Sequence, residues 1–179
     1  MNFLEYGVRR HARYGPTDRY LSPPAAGVCL SVFALAQEGS RVLVGTPKPH
    51  ERWTSEWLFA WLHYSKDELG EALRGRMLPS TYLWEGEDPK DALDRVMREQ
   101  LRVRKYRVAS PLILSYYSPS DWYPENNHWD LAIVYPVKLQ QPLRRQPWWR
   151  ELEFVQKSRL HAKEFGWNAD FVRDLGIVK

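Results

Sequence analysis

Apolar and polar positions divide the chain into short blocks whose period changes repeatedly. GVCLSVFALA, residues 27–36, is apolar and rich in β-branched side chains, and RVLVG follows the turn Gln37-Glu38-Gly39-Ser40. Two such runs around a glycine-containing turn predict a β-hairpin. Between Pro47 and Pro79 the period lengthens: Trp53, Trp57 and Trp61 fall four apart, with Leu58 and Leu62 beside them, which predicts a helix. Ser65-Lys66-Asp67-Glu68 has capping-box spacing, and Leu69, Ala72 and Leu73 follow at helical intervals up to Gly75. Asp88-Pro89 combines an N-cap acid with proline at the first helical position, and Ala92, Leu93, Val96 and Met97 give that helix one apolar face to about Leu101. VASPLILSYYS and WDLAIVYPVKL read as two strands around the turn-rich PSDWYPENNH. The tail predicts a helix near 149–163 and a last one from Asn168. No repeat or sustained heptad is present, and the mixture of strands and helices predicts an α+β fold.

The 179 residues suit one domain with appended segments. Residues 1–24 form a basic N-terminal extension closed by Ser22-Pro23-Pro24, and residues 25–179 form the domain, with a tryptophan-rich insertion at about 50–77. At 44% hydrophobic and 14% aromatic, the composition excludes a disordered or low-complexity chain. Cys29 is the one cysteine, which excludes a disulfide scaffold and a cysteine-built zinc site. The longest apolar stretch, from about Ala25 to Ala36, is roughly half of what spans a bilayer, and the arginine-bearing start has no apolar run. A cytoplasmic protein with no membrane partner is therefore expected. Lys and Arg number 26 against 22 Asp and Glu, a formal +4, which favours anionic partners without demanding them. Arginine greatly outnumbers lysine; that suits bidentate phosphate contacts, and equally a GC-rich genome.

The stretch LPSTYLWEGEDPKDALDRVMREQLRV, residues 78–103, carries the most chemistry. It resembles the box of the Nudix (MutT-like) superfamily, a strand–loop–helix signature of enzymes that cleave nucleoside diphosphates linked to another moiety. Thr81 falls at the first glycine of that pattern and Glu87 at its first glutamate, within a Gly86-Glu87 pair. Ala92 and Arg95 match, and Met97 and Val103 fill apolar positions. Val96 replaces the glutamate after the arginine, Glu99 keeps the first of the paired glutamates, Gln100 replaces the second, and Arg102 stands at the closing glycine. Leu78-Pro79 takes the place of the usual proline-glycine turn. The order of the flanking elements extends the resemblance over roughly residues 26–176. It implies a Nudix-like α/β/α sandwich with a mixed β-sheet, and a structural ion pair between Glu87 and Arg95.

Positions 96, 99 and 100 converge on one helix face. Three glutamates there would suit Mg²⁺, which can polarise substrate phosphates toward water. Here that face carries Val, Glu and Gln, and the two replaced positions are those that usually hold metal in the superfamily. The expectation is a retained fold with its standard metal cluster dismantled. If the protein is a catalyst, Glu87 and Glu99 would be its metal ligands for Mg²⁺ or Mn²⁺, and Glu125 or Asp121, on the later loop with His128 and Asp130, would act as base. Glu85, Asp88 and Asp91 are further carboxylates near the box.

Three clusters combine arginines with aromatic rings: Arg9, Arg10, Arg13, Tyr14 and Arg19; Arg102, Arg104, Lys105 and Arg107; and Arg144, Arg145, Trp148, Trp149 and Arg150. Guanidinium groups interleaved with rings suit single-stranded RNA or exposed bases. The leading expectation is a non-catalytic Nudix-fold protein, without a cofactor, that binds a nucleotide, RNA or a ribonucleoprotein or protein assembly. A divergent metal-dependent Nudix hydrolase of a nucleoside diphosphate derivative, and a structural subunit using the tryptophan-rich insertion, are the alternatives.

Overall fold

The computed structural model describes residues 28–48, 75–84, 86–118 and 128–179. The N-terminal extension, most of the tryptophan-rich insertion, Glu85, Asp121 and Glu125 lie outside the described residues. The strands are β1 (Val28–Glu38), β2 (Arg41–Pro47), β3 (Ser80–Tyr82), β4 (Tyr106–Val108), β5 (Leu112–Ser118), β6 (His128–Leu139) and β7 (Trp149–Gln156). Helix α1 (Pro89–Arg95) continues as a π-turn (Val96–Gln100), and α2 (Ala169–Asp174) lies near the C-terminus. Among the described residues no helix is long and apolar enough to cross a membrane.

The seven strands form one mixed sheet. β1 and β2 make the hairpin read from their apolar runs, closed by Gly39 at φ 61°. Only Gln37–Val42 and Glu38–Arg41 are paired before the strands part. β1 then runs parallel to β6 from Val28–Trp129 to Ala36–Val137, and β3 pairs with it antiparallel through Ser31, Val32 and Phe33. β2 pairs with β7, while β6 carries β4 and β5 on its far edge.

Period-two alternation assigns each strand residue to a face. Val32, Ala34, Ala36 and Leu43 face the box helix and pack with Leu93, Val96, Met97 and Trp149. Leu35, Val42 and Val44 face the other way, against Phe171, Val172 and Ile177 of the C-terminal segment. The ring centroids of Phe33 and Phe171 lie 4.5 Å apart.

Three elements differ from the sequence expectation. The segment predicted as a helix from 149 begins instead as strand β7. Its buried Trp149 and Leu152 are three apart, which imitates a helical period. The cause is a bulge: Thr46 opposes Glu151 while Pro47 opposes Trp149, so Arg150 is extra and shifts the alternation by one. The strand expected over 108–118 is split into β4 and β5, with Pro111 in the gap and Pro136 on the partner strand opposite it. Neither proline can donate to the ladder, and the pairing is carried past the break by the Ala109 amide on the Pro136 carbonyl at 2.9 Å. The box helix is regular only to Arg95, after which Leu101 N–H reaches back five residues to the Val96 carbonyl at 3.3 Å.

Gly45 lets β2 approach the indole of Trp149: a Cβ there would lie 2.5 Å from the ring. Both groups belong to the packed core, so Gly45→Ala forces a strand or a ring to move. Chemical denaturation of this variant is expected to show a loss of roughly 1–3 kcal/mol; unchanged stability would mean that the ring is not held against the strand.

Candidate functional site

The site is the junction of β3, the loop after it, and α1. Pro89 and the Asp88 side chain, which accepts from the Lys90 amide at 2.7 Å, start the helix. That fixes Arg95 at the last regular position, immediately before the helix loosens. Arg95 is 4% exposed and uses its whole guanidinium. Nε and Nη2 donate to the two carboxylate oxygens of Glu87 at 3.0 and 2.9 Å. Nη1 donates to Thr81 Oγ1 at 2.7 Å, and Nη2 also donates to the Tyr82 carbonyl at 2.8 Å. The Trp84 ring lies 3.9 Å from the guanidinium carbon, a cation–π contact.

The loop is shaped to deliver Glu87. Trp84 N–H donates to Glu87 Oε2 and Glu87 N–H donates to the Trp84 carbonyl, each at 3.0 Å. Gly86 sits at φ 75°, where glycine carries no steric penalty. The Glu87 carboxyl is held below its usual range, first by the hydrogen bonds from Arg95, with burial opposing. Its stabilisation is therefore full above the ordinary glutamate range and is lost as pH falls through the lowered value.

The next turn is where metal ligands would be expected, and here it belongs to the core. Val96 is 1% exposed and Gln100 is fully buried. Gln100 Nε2 donates to the Ser80 carbonyl at 2.5 Å, tying the helix end to β3. The Gln100 backbone carbonyl accepts both indole N–H groups, from Trp148 at 3.2 Å and from Trp149 at 3.1 Å. A carbonyl left over at a helix end is thus satisfied by side chains. Met97 accepts from the Val103 amide at 2.8 Å, and the chain turns between them at Arg102, which has φ 56°. Arg102, which the sequence resemblance sets at the pattern's closing glycine, adopts the left-handed turn without the residue that makes it easy. The cost is of the order of 1–2 kcal/mol.

These residues do not fit a Mg²⁺ site. Valine has no donor atom, and the Gln100 amide faces the sheet, its Oε1 buried with no hydrogen-bond partner among the described residues. Glu99, with its side chain 35% exposed, pairs with Arg98 at 3.2 Å. Among the described residues no three His, Cys, Asp or Glu side chains are placed to share a metal ion.

The structure sets two of the basic clusters side by side. Gln141 accepts from the amides of Arg104 and Lys105 and donates to the Arg102 carbonyl at 3.0 Å, which holds this loop against the segment leading to Arg144 and Arg145. Arg102 lies 5.6 Å from the Trp148 ring. Arg102, Arg104, Lys105, Arg144 and Arg145 are exposed. Trp149, expected to stack on a base, corrects that expectation: it is 2% exposed and serves the core. Arg9, Arg10, Arg13 and Tyr14 lie outside the described residues. The roles of Thr81, Gln100 and the paired indoles were missed in sequence, because each acts through a partner distant along the chain: the Arg95 guanidinium for Thr81, and backbone carbonyls for Gln100 and the indoles.

No family model and no curated protein matches the chain. Solved structures do. A MutT protein from Methanosarcina mazei Go1 superposes with TM-score 0.52 at 15% identity, covering 89% of this chain and 99% of that one. A UDP-X diphosphatase gives 0.51 at 13% identity, over 95% of this chain and 71% of that one. A protein assigned to the Nudix hydrolase family from Chromobacterium violaceum gives 0.50 at 17% identity, over 83% of this chain and 77% of that one. The chain has the fold of the Nudix superfamily, with a mixed seven-stranded sheet.

Gln100→Glu tests the structural role of the helix end. A carboxylate cannot donate to the Ser80 carbonyl and would be buried, so the variant should lose roughly 2–4 kcal/mol at pH 7 relative to wild type. The protonated acid can donate, so the folded state raises the new glutamate's pKa above the unfolded value near 4.3. The penalty should be small below that value and grow as pH rises through the folded pKa. A difference in unfolding free energy that is flat from pH 4 to 7 would contradict it.

Proposed function

We propose that this protein uses the Nudix scaffold to bind an RNA or nucleotide ligand without hydrolysing a diphosphate. The observation that supports the lack of hydrolysis is the burial of Val96 and Gln100, the two positions where the superfamily's metal ligands would be needed. The Arg95–Glu87 pair then acts as a structural tie. The ligand class is supported by the exposed basic residues Arg104, Lys105, Arg144 and Arg145 beside Arg102. Arginine suits phosphate because its planar fork makes two parallel hydrogen bonds.

A divergent hydrolase is the second reading. Glu87 and Glu99 are both present, and the fold neighbours include proteins described as a UDP-X diphosphatase and as a Nudix hydrolase family member. In that reading the missing ligands would come from residues outside those described, such as Glu125.

Incubation with a nucleoside diphosphate sugar, a dinucleoside polyphosphate or a capped RNA, with Mg²⁺ or Mn²⁺, should give turnover at background. Single-stranded RNA should bind at low salt with affinity falling steeply as salt rises, because arginines displace counterions. Neutralising Arg104, Lys105 and Arg144 together should reduce the log–log salt slope by about one unit per lost phosphate contact. Robust turnover that disappears in a folded Glu99→Gln variant would establish the hydrolase instead.

A further inference from the structure

The sheet face opposite the box helix has a groove of about 260 Å³ where β4 gives way to β5. Its walls include Val108, Ala109 and Pro136, the residues at the break between the two strands, and its floor includes Leu35. Arg107 and Lys138 line it, and they are direct cross-strand partners in the antiparallel β4–β6 pair. Gln37 lies in the same row, one residue beyond the last registered β1–β6 pair, Ala36–Val137. Both cations are exposed, and neither makes an ion pair among the described residues. Among the described residues no acidic side chain lines the groove. Glu38, the nearest acid along β1, is engaged by Arg41 at 2.7 Å.

Two like charges placed directly opposite each other on neighbouring strands destabilise a sheet. A local conflict of this kind, kept at the wall of a concavity, is what a binding site looks like before its ligand arrives. We infer that this groove is an anion site for a phosphate group. Arg107 supplies a fork for two phosphate oxygens, Lys138 a point charge, and the Gln37 amide a neutral donor. Two cations balance a phosphate dianion, whereas a carboxylate would leave one charge uncompensated. The volume is below the roughly 300–1,000 Å³ of sites that enclose drug-sized ligands, so the groove takes the phosphate and leaves the rest of its carrier outside. That carrier is either a small phosphorylated molecule or the end of a nucleic-acid strand. The site lies on the opposite sheet face from Tyr106, which packs on the box side, and stands whether or not the box region is catalytic.

The test uses the full chain and two variants, Arg107→Gln/Lys138→Gln and Arg107→Lys, titrated calorimetrically at low salt with inorganic phosphate and with acetate. Wild type should bind phosphate saturably and at least tenfold more tightly than acetate. The double variant should lose at least tenfold in phosphate affinity, and Arg107→Lys several-fold, because the charge remains but the fork is gone. Without ligand, the double variant should melt at or above the wild-type temperature, since a repulsive pair has been removed. A single-stranded oligonucleotide with and without a 5′-phosphate separates the carriers: a preference for the phosphorylated form, abolished in the double variant, assigns a strand end, and no preference assigns a small molecule. No saturable phosphate binding by wild type, equal affinity in the double variant, or a double variant that melts well below wild type would overturn the site.

Discussion

One guanidinium joins the parts of the molecule that sequence similarity would otherwise describe separately. Arg95 bonds to Glu87 in the loop, to Thr81 and Tyr82 on β3, and to the ring of Trp84, while its own helix packs on the sheet. A buried cation is tolerable only when its donors are satisfied, and here the acceptors come from two other elements. The seat of α1 against β3 and the loop follows from that requirement. The Gln100 amide on Ser80 and the two indoles on the Gln100 carbonyl repeat the same logic one turn later.

The Glu87–Arg95 tie closes the loop on the helix, and Val96 and Gln100, in the turn that follows, complete the interior. Charge is expensive in that interior, whereas an amide that donates to a backbone carbonyl is not. Arg102 shows a local cost of the same arrangement: a non-glycine residue holds the left-handed turn that follows the helix end, at a cost in strain.

Much of the fold was legible in the sequence because it rests on local signals. The β1–β2 hairpin, the Asp88-Pro89 helix start and the Asn168 start of α2 each depend on residues adjacent in the chain. What was misread depends on partners far away. β7 imitates a helix because a bulge against β2 displaces its alternation, and β4 and β5 separate because of prolines on two strands. Of the site, the Glu87–Arg95 pairing was readable from the resemblance, and the lack of carboxylates at positions 96 and 100 from residue type. Trp149 was misjudged as a surface ring because its partner, Gly45, lies on a strand more than a hundred residues earlier.

The central claim is that the box helix end is core and not a metal centre. Paramagnetic line broadening by Mn²⁺, followed on the backbone amides of the isotope-labelled protein, reads this directly, because the ion broadens only signals close to where it binds. The account predicts no saturable broadening centred on residues 95–103 at Mn²⁺ concentrations that saturate an ordinary carboxylate site. Saturable broadening focused on Glu99 and its neighbours, reversed by excess Mg²⁺, would contradict it.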